Sequence, residues 1–248
     1  MKVSIITATY NNESTVLDTI SSVVSQTYIN IEHIIIDGAS KDKTLSLINN
    51  NSTKILKVIS EPDNGIYDAL NKGIKNATGD IIVFLHADDI FSDNRVIEKA
   101  VKLFTEKKTD SIYGDLQYVS KENTDKIIRY WKAGKYSFLK LKRGWMPPHP
   151  TFFVKKEIYD KYGLFDTKFS ISADYDIILR FLGKEKISIA YLPEVMIKMR
   201  IGGESNKNIK NILRKMKEDV RALRKNKLGG IHTVFMKNIS KIPQLFGK

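Results

Sequence analysis

Cysteine is missing from all 248 residues. That excludes disulfides and thiolate metal sites, and it fits a reducing compartment. No apolar run approaches the roughly 20 residues of a membrane span. Met1-Lys2-Val3-Ser4-Ile5-Ile6 runs straight into a strand pattern without a signal-peptide core, so a cytoplasmic protein is expected. Neither glycine-rich phosphate motif, G-x-x-x-x-G-K-[ST] or G-x-G-x-x-G, occurs anywhere. Any nucleotide phosphates must then be neutralised by other means, with a metal ion the first candidate. Acidic residues are scarce at one end. Residues 207–248 hold twelve Lys/Arg against two Asp/Glu, so most of the +13 net charge sits there and the first 206 residues are nearly balanced. A tail of that kind suits an anionic partner, either a membrane surface or nucleic acid.

What is present is a repeating strand-then-helix pattern. Residues 3–8, 31–36, 55–59 and 81–85 are apolar runs of the kind buried on both faces of a parallel sheet. Helical spacing follows each of the first three, over about 13–25, 43–50 and 67–76. Four such units in sequence predict an α/β fold, a parallel sheet with helices on both faces. The second half is less regular. Helices are expected over 95–104, 156–162 and 173–182, and strands over 111–113, 116–119, 127–130, 151–154, 187–191 and 195–199. Gly144-Trp145-Met146-Pro147-Pro148-His149-Pro150 reads as a rigid loop, since each proline fixes its own φ and restrains its predecessor.

In open α/β sheets ligands bind beyond the carboxyl ends of the strands. The loops there are residues 7–12, 37–40, 63–65 and 88–89, and three of the four carry Asp. Asp88 and Asp89 end the fourth strand. They can hold a divalent cation on a diphosphate or simply cap the next helix. Asp37, followed by Gly38, can accept from a base N–H or a ribose hydroxyl, and Tyr10 can stack on a base. Asp63 lies in a Pro-Asp-Asn-Gly turn and is explained equally by turn chemistry. Asp174 and Asp176 lie two apart on a predicted helix, so only one can face a site. If Asp174 is the one that does, Asp176 is structural and can pair with Arg180, four residues on. His149 and Trp145 belong to the proline loop. His149 is either a packed residue or one that the rigid loop aims at a ligand; Trp145 either stacks on a ligand's ring or fills core.

An ordered series resembles the family 2 glycosyltransferases. It comprises Thr7-Ala8-Thr9-Tyr10-Asn11-Asn12, Asp37-Gly38-Ala39-Ser40, Ser60-Glu61-Pro62-Asp63-Asn64-Gly65-Ile66-Tyr67-Asp68-Ala69-Leu70-Asn71, His86-Ala87-Asp88-Asp89 and Ser172-Ala173-Asp174-Tyr175-Asp176. The nearest likeness is to the subgroup that builds O-antigen, colanic acid and capsule repeat units. The resemblance spans about residues 1–205. It implies a GT-A fold, a UDP-sugar donor, a Mg²⁺ or Mn²⁺ ion, inversion at the anomeric carbon and a polyprenyl-diphosphate-linked saccharide acceptor. It implies that Ala8, Tyr10 and Asp37 line the nucleoside, with Asp63 and Asn71 beside it. Asp88 then contacts ribose or donor sugar, Asp89 ligates the metal and Asp174 is the general base. Arg200 and Gly202-Gly203-Glu204-Ser205 resemble a loop that closes over the donor.

Residues 206–248 are expected to form a separate basic tail. Ile209, Ile212, Leu213, Met216, Val220 and Leu223 make one apolar stripe on a basic helix, which either packs on the body or lies on an anionic membrane at the inner face. A nucleic-acid-binding protein without transferase activity is the competing reading; the nearly balanced body and the absence of a recognised nucleic-acid motif weigh against it. A sugar-1-phosphate nucleotidyltransferase would need a Gly-rich, Arg-containing loop after the first strand, and Thr9-Tyr10-Asn11-Asn12 is not one.

Overall fold

The computed structural model describes residues 1–51, 57–202 and 209–239. The four apolar runs form β1 (Val3–Thr9), β2 (Ile31–Asp37), β3 (Lys57–Ser60) and β4 (Ile81–Phe84). The third expected strand began at residue 55, and its first two positions fall outside the described residues. The strands pair in parallel in the order β3-β2-β1-β4, with Val3 opposite both Ile31 and Ile81. Every residue of β1 is buried, as its unbroken apolar run requires. Helices α1 (Val16–Val24), α2 (Thr44–Asn50) and α3 (Ile66–Asn76) make the crossovers. Ile6, Ile34, Ile36, Leu70 and Ile74 fill one side of the sheet. Ile5, Val83 and Leu85 fill the other, against Ile97 and Phe104 of α4 (Val96–Lys107).

The second half extends the same sheet. Beyond β4 come β8 (Phe153–Lys155), β6 (Ser111–Val119), β9 (Ile189–Arg200) and β5 (Ile90–Phe91), with β7 (Ile127–Trp131) pairing β6. β6 and β9 run parallel to the first four strands, and β8, β7 and β5 run against their neighbours. Each long strand was expected as two pieces. Gly114-Asp115 and Pro193 supplied the apparent breaks, and the structure accommodates both in one irregularity, where the β6–β9 register shifts on either side of Asp115. A side chain at Gly114 would meet Met196 Sδ at 2.6 Å and Glu194 O at 2.8 Å. Buried Asp115 anchors the bulge by accepting from the Tyr130 and Tyr191 hydroxyls, both at 2.6 Å, and from Ala133 N.

Short helices α5 (Phe138–Lys142), α6 (Lys156–Tyr162) and α7 (Ala173–Ile178) complete the body. The expected helix over 173–182 changes character after Ile178, continuing as a π-helical turn, Leu179–Lys184. The chain then enters α8 (Ile209–Lys225) and α9 (Ile231–Ile239). Ala222, Leu223, Leu228 and Val234 are buried in the main core, whereas Ile212, Leu213 and Met216 on the preceding turns of α8 are 42–55% exposed. The apolar stripe therefore divides: its end packs on the body and its start faces outward. Among the described residues no helix is long and apolar enough to cross a membrane.

Candidate active site

The carboxyl ends of β1, β3 and β4 and the connections around α7 enclose a cavity of about 500 Å³. Of the residues singled out from sequence, Ala8, Tyr10, Asp63, Asp88, Asp89, His149, Asp174 and Arg200 line it. Asp37, Asn71 and Trp145 do not. Asp37 lies immediately behind the rim, fully buried, where its carboxylate accepts from Ser40 N, Ser40 Oγ and Ser60 Oγ. It thereby fixes the loop 37–40. Gly38 carries the Asp63 carboxylate directly above it; a Cβ there would meet Asp63 Oδ2 at 2.5 Å. Asp63 also accepts from Gly65 N at 2.9 Å, so its turn role and its place in the cavity coexist. Tyr10 is 55% exposed, an aromatic face left open at the cavity mouth. Asn71 is buried and spends both ends of its amide on Phe165, whose N and O it meets at 3.0 and 2.9 Å. Trp145 donates to Ala133 O and packs against Tyr113 and Tyr136, which is core packing.

The acidic turn after β4 is held from three directions. Asp89 N closes onto His86 O, and Thr19 Oγ1 of α1 donates to Asp89 O at 2.8 Å. Arg200, 5% exposed, donates to Asp88 O and Lys121 O and pairs with Asp18. Its backbone N reaches Asp89 Oδ1 at 3.3 Å. Arg200 thus clamps the turn, and the residues 203–205 expected to move with it lie outside the described set. Asp89 is 1% exposed, and burial, then the neighbouring Asp88 charge, pushes its carboxyl well above the usual carboxylate range. A cation beside it would offset that cost. No set of three or more His, Asp or Glu side chains among the described residues forms a metal cage. The chain's own offer is a pair of hard oxygen donors, Asp88 and Asp89, of the kind that would suit Mg²⁺ or Mn²⁺.

Opposite this turn stands Asp174, near the start of α7. Its Oδ2 lies 3.2 Å from His149 Nδ1, and the Tyr67 hydroxyl lies 3.2 Å from its Oδ1. The side chain is 23% exposed. Burial alone would raise its pKa, but the charges of His149, Lys237 and Lys215 outweigh that and hold it below the usual range. His149 is aimed by the turn His149–Thr151, in which buried Thr151 donates to Gly114 O and Pro148 O. His86 sits behind, its ring 6.2 Å from that of His149 and its Nδ1 buried without a hydrogen-bond partner among the described residues. Asp176 faces away, as helix geometry requires. Its partners are Lys225 Nζ and Asn226 Nδ2 at 3.0 and 2.9 Å, not the expected Arg180, which instead donates to Leu164 O.

Glycosyl transferase family 2 is the family whose model matches residues 4–163. The chain belongs to that family. An uncharacterized glycosyltransferase of Mycobacterium tuberculosis is 34% identical over 186 residues, covering 72% of this chain and 68% of the relative. A PGL/p-HBAD biosynthesis glycosyltransferase of Mycobacterium bovis is 28% identical over 208 residues, covering 82% and 78%. Among solved structures, S. aureus TarS 1-349 in complex with UDP-GlcNAc matches with a TM-score of 0.72 at 17% identity, covering 96% of this chain and 70% of that one. The mannosyltransferase PcManGT from Pyrobaculum calidifontis, in complex with GDP-Man and Mn²⁺, matches with a TM-score of 0.68 at 18% identity, covering 99% and 73%. The fold is GT-A, a mostly parallel α/β sheet flanked by helices, as the family resemblance implied.

Several residues around Asp174 escaped sequence reasoning. Tyr67 stood in the quoted series yet reads as a core aromatic. His86 stood beside the acidic pair. Glu218, Lys215 and Lys237 belong to the basic tail, where nothing in their spacing points back to α7. Glu218 nevertheless accepts from the N–H groups of Ser170, Ile171 and Ser172 at 2.8–3.0 Å, binding α8 to the loop that presents Asp174.

Proposed function

We propose that this family 2 chain is an inverting hexosyltransferase that moves a sugar from a UDP-linked donor to a polyprenyl-diphosphate-linked saccharide, in the assembly of a bacterial surface polysaccharide. The observation that carries the reading is the Asp174 carboxylate, kept ionised beside His149 and Tyr67 and facing the acidic turn across one cavity. Inversion requires one base to take the acceptor hydroxyl proton as its oxygen attacks the anomeric carbon and the bond to the diphosphate breaks. Asp174 fills that role. Tyr10, Ala8 and Asp63 receive the nucleoside, Asp37 and Asn71 hold the walls behind it, and Asp88 meets the ribose or donor sugar. Asp89 is the residue that would hold Mg²⁺ or Mn²⁺, which supplies charge neutralisation for the departing diphosphate.

Residues 1–205 carry the donor-binding residues and the general base in this reading, and α8 supports the loop that presents that base. Residues 206–248 serve an anionic membrane at the inner face of the cytoplasmic membrane, where a lipid-linked acceptor resides. The exposed Ile212, Leu213 and Met216 beside Lys210, Arg214 and Lys217 support that placement.

The test incubates the protein with a panel of UDP-sugars, Mn²⁺ or Mg²⁺, and a synthetic N-acetylhexosamine-diphosphate-lipid. EDTA-sensitive, acceptor-dependent UDP release is expected, with the product linkage inverted relative to the donor by NMR. No release with any donor, together with no UDP binding by calorimetry, would remove the transferase reading.

A further inference from the structure

Asp174 stands on a wall between two spaces. Behind it lies a second cavity of about 380 Å³, which shares Asp174, His149, Met199 and Arg200 with the first. Anything seated there has the Asp174 carboxylate on one side.

Four cationic side chains reach this second cavity: Arg129, Arg200, Lys215 and Lys237. Two are already neutralised. Arg200 pairs with Asp18, and Lys237 forms a buried ion pair with Asp219 at 2.9 Å. Arg129 and Lys215 have no carboxylate within ion-pair distance among the described residues. Arg129 comes from β7, and its guanidinium lies over the Tyr118 ring, 4.2 Å from the centroid, with Trp131 at 5.8 Å. That stacking fixes the plane of the guanidinium, and its Nε is buried without a hydrogen-bond partner among the described residues. A planar, pre-oriented donor left unmatched beside a cavity is suited to a phosphate or carboxylate oxygen. Lys215 faces it from α8. Tyr118, Trp131 and Met146 complete the lining with apolar atoms.

We infer that this cavity is the acceptor site, and that the acceptor enters carrying a phosphoryl group, held by Arg129 and Lys215, while one of its sugar hydroxyls meets Asp174. The inference rests on the glycosyl-transfer reading and specifies its acceptor by chemistry. A phosphate ester on a free sugar and a diphosphate on a lipid share that chemistry.

The experiment compares three acceptors bearing the same N-acetylhexosamine: a neutral alkyl glycoside, the free sugar 1-phosphate, and the short-chain lipid diphosphate. Wild type should turn over the two phosphorylated acceptors with a lower KM than the neutral one. Arg129→Gln and, separately, Lys215→Gln should raise that KM by about tenfold or more, the loss of one charge-assisted hydrogen bond. Arg129→Gln should leave the donor KM and the neutral-acceptor KM unchanged; Lys215→Gln, whose charge also acts on Asp174, should leave the donor KM unchanged. Preference for the lipid diphosphate over the sugar 1-phosphate would identify the lipid source; equal use would identify the phosphoryl group itself. Equal use of neutral and phosphorylated acceptors, or an equal loss on all three, would overturn the inference while leaving the transferase reading intact. Calorimetry with inorganic pyrophosphate on the UDP-saturated protein reads the cavity without turnover. Binding weakened about tenfold in Arg129→Gln is expected, and unchanged binding would overturn the assignment. UDP binding measured alone in the same samples reports separately on the transferase reading.

Discussion

At the scale of single residues, the site is a set of carboxylates in unlike surroundings. Asp89 is buried beside Asp88 with its carboxyl pushed up, whereas Asp174 is held down by neighbouring cations. The two therefore respond oppositely to pH and to substitution. A carboxyl raised in the folded state costs stability as pH climbs from its unfolded value, near 3.8, toward its folded one. The metal-free protein should thus lose stability over that range, and Asp89→Asn should recover it at neutral pH, by roughly 2–4 °C in Tm per kcal/mol of relief. Mn²⁺ with UDP should raise the wild-type Tm and leave that of Asp89→Asn almost unmoved; the reverse pattern would remove Asp89 from metal binding. For Asp174 the sign is opposite: its depressed pKa stabilises the fold at neutral pH, and that contribution fades as pH falls through the folded value below 3.8. Asp37, Asp63, Asp88 and Asp89 were legible because an apolar run names the strand and its end names the loop. That Asp37 spends its oxygens on Ser40 and Ser60 was not legible, since those partners come from a turn and a neighbouring strand. Asn71 shows the same limit. Its amide closes on Phe165, 94 residues away, and Asn71→Ala should cost about 2–3 kcal/mol in chemical denaturation by leaving two buried backbone groups unpaired.

At the scale of elements, the parallel half of the sheet follows from patterning alone. Continuous apolar strands separated by helical spacing admit few other arrangements. The second half resisted because local breaker signals there are absorbed by tertiary structure. Gly114 and Pro193 look like strand ends, yet they lie on strands that run on through the bulge anchored by Asp115. Glu32 shows how much such polar anchors hold. It is nearly buried on β2 and accepts from Ser4, Thr78 and the Gly79 N–H, and it pairs with Lys2. Burial would raise its carboxyl, but these hydrogen bonds bring it down to about 2. That stability is present above pH 4.5 and is lost as pH falls toward 2. Glu32→Gln should cost about 2–4 kcal/mol at neutral pH in denaturant titration, because it leaves Lys2 and the β1–β4 junction without their counter-charge. The α8–α7 contact makes a functional prediction of the same kind. Glu218→Ala frees three N–H groups beside Asp174, so under the proposed function kcat should fall while UDP affinity, measured by calorimetry, stays within about twofold, because the residues proposed to receive the nucleoside come from the first half of the chain. Loss of UDP affinity in that variant would show that α8 supports the whole fold and not the Asp174 loop specifically.

Across the whole molecule, charge divides along the chain and function does not. The nearly neutral body supplies the GT-A sheet and the lining of the first cavity, and the basic end supplies α8 and α9. α8 was legible as an amphipathic helix, and neither it nor α9 was legible as a contributor to the site. Periodicity reports which face is apolar, and it says nothing of which charged residue meets which loop. Lys215, Glu218 and Lys237 all act back toward Asp174, so one helical pair faces both the chemistry and the exterior. Under the membrane proposal, vesicles containing anionic lipid should retain the protein at low salt and release it as ionic strength rises. Ile212→Ser with Met216→Ser should weaken retention without altering UDP binding. The measurement that tests the central claim most directly is single-turnover transfer by Asp174→Asn alongside UDP calorimetry. A fall in rate of about 10²–10⁴-fold with UDP affinity unchanged is the predicted result for loss of a general base. A rate within about tenfold of wild type, at unchanged UDP affinity, would contradict it.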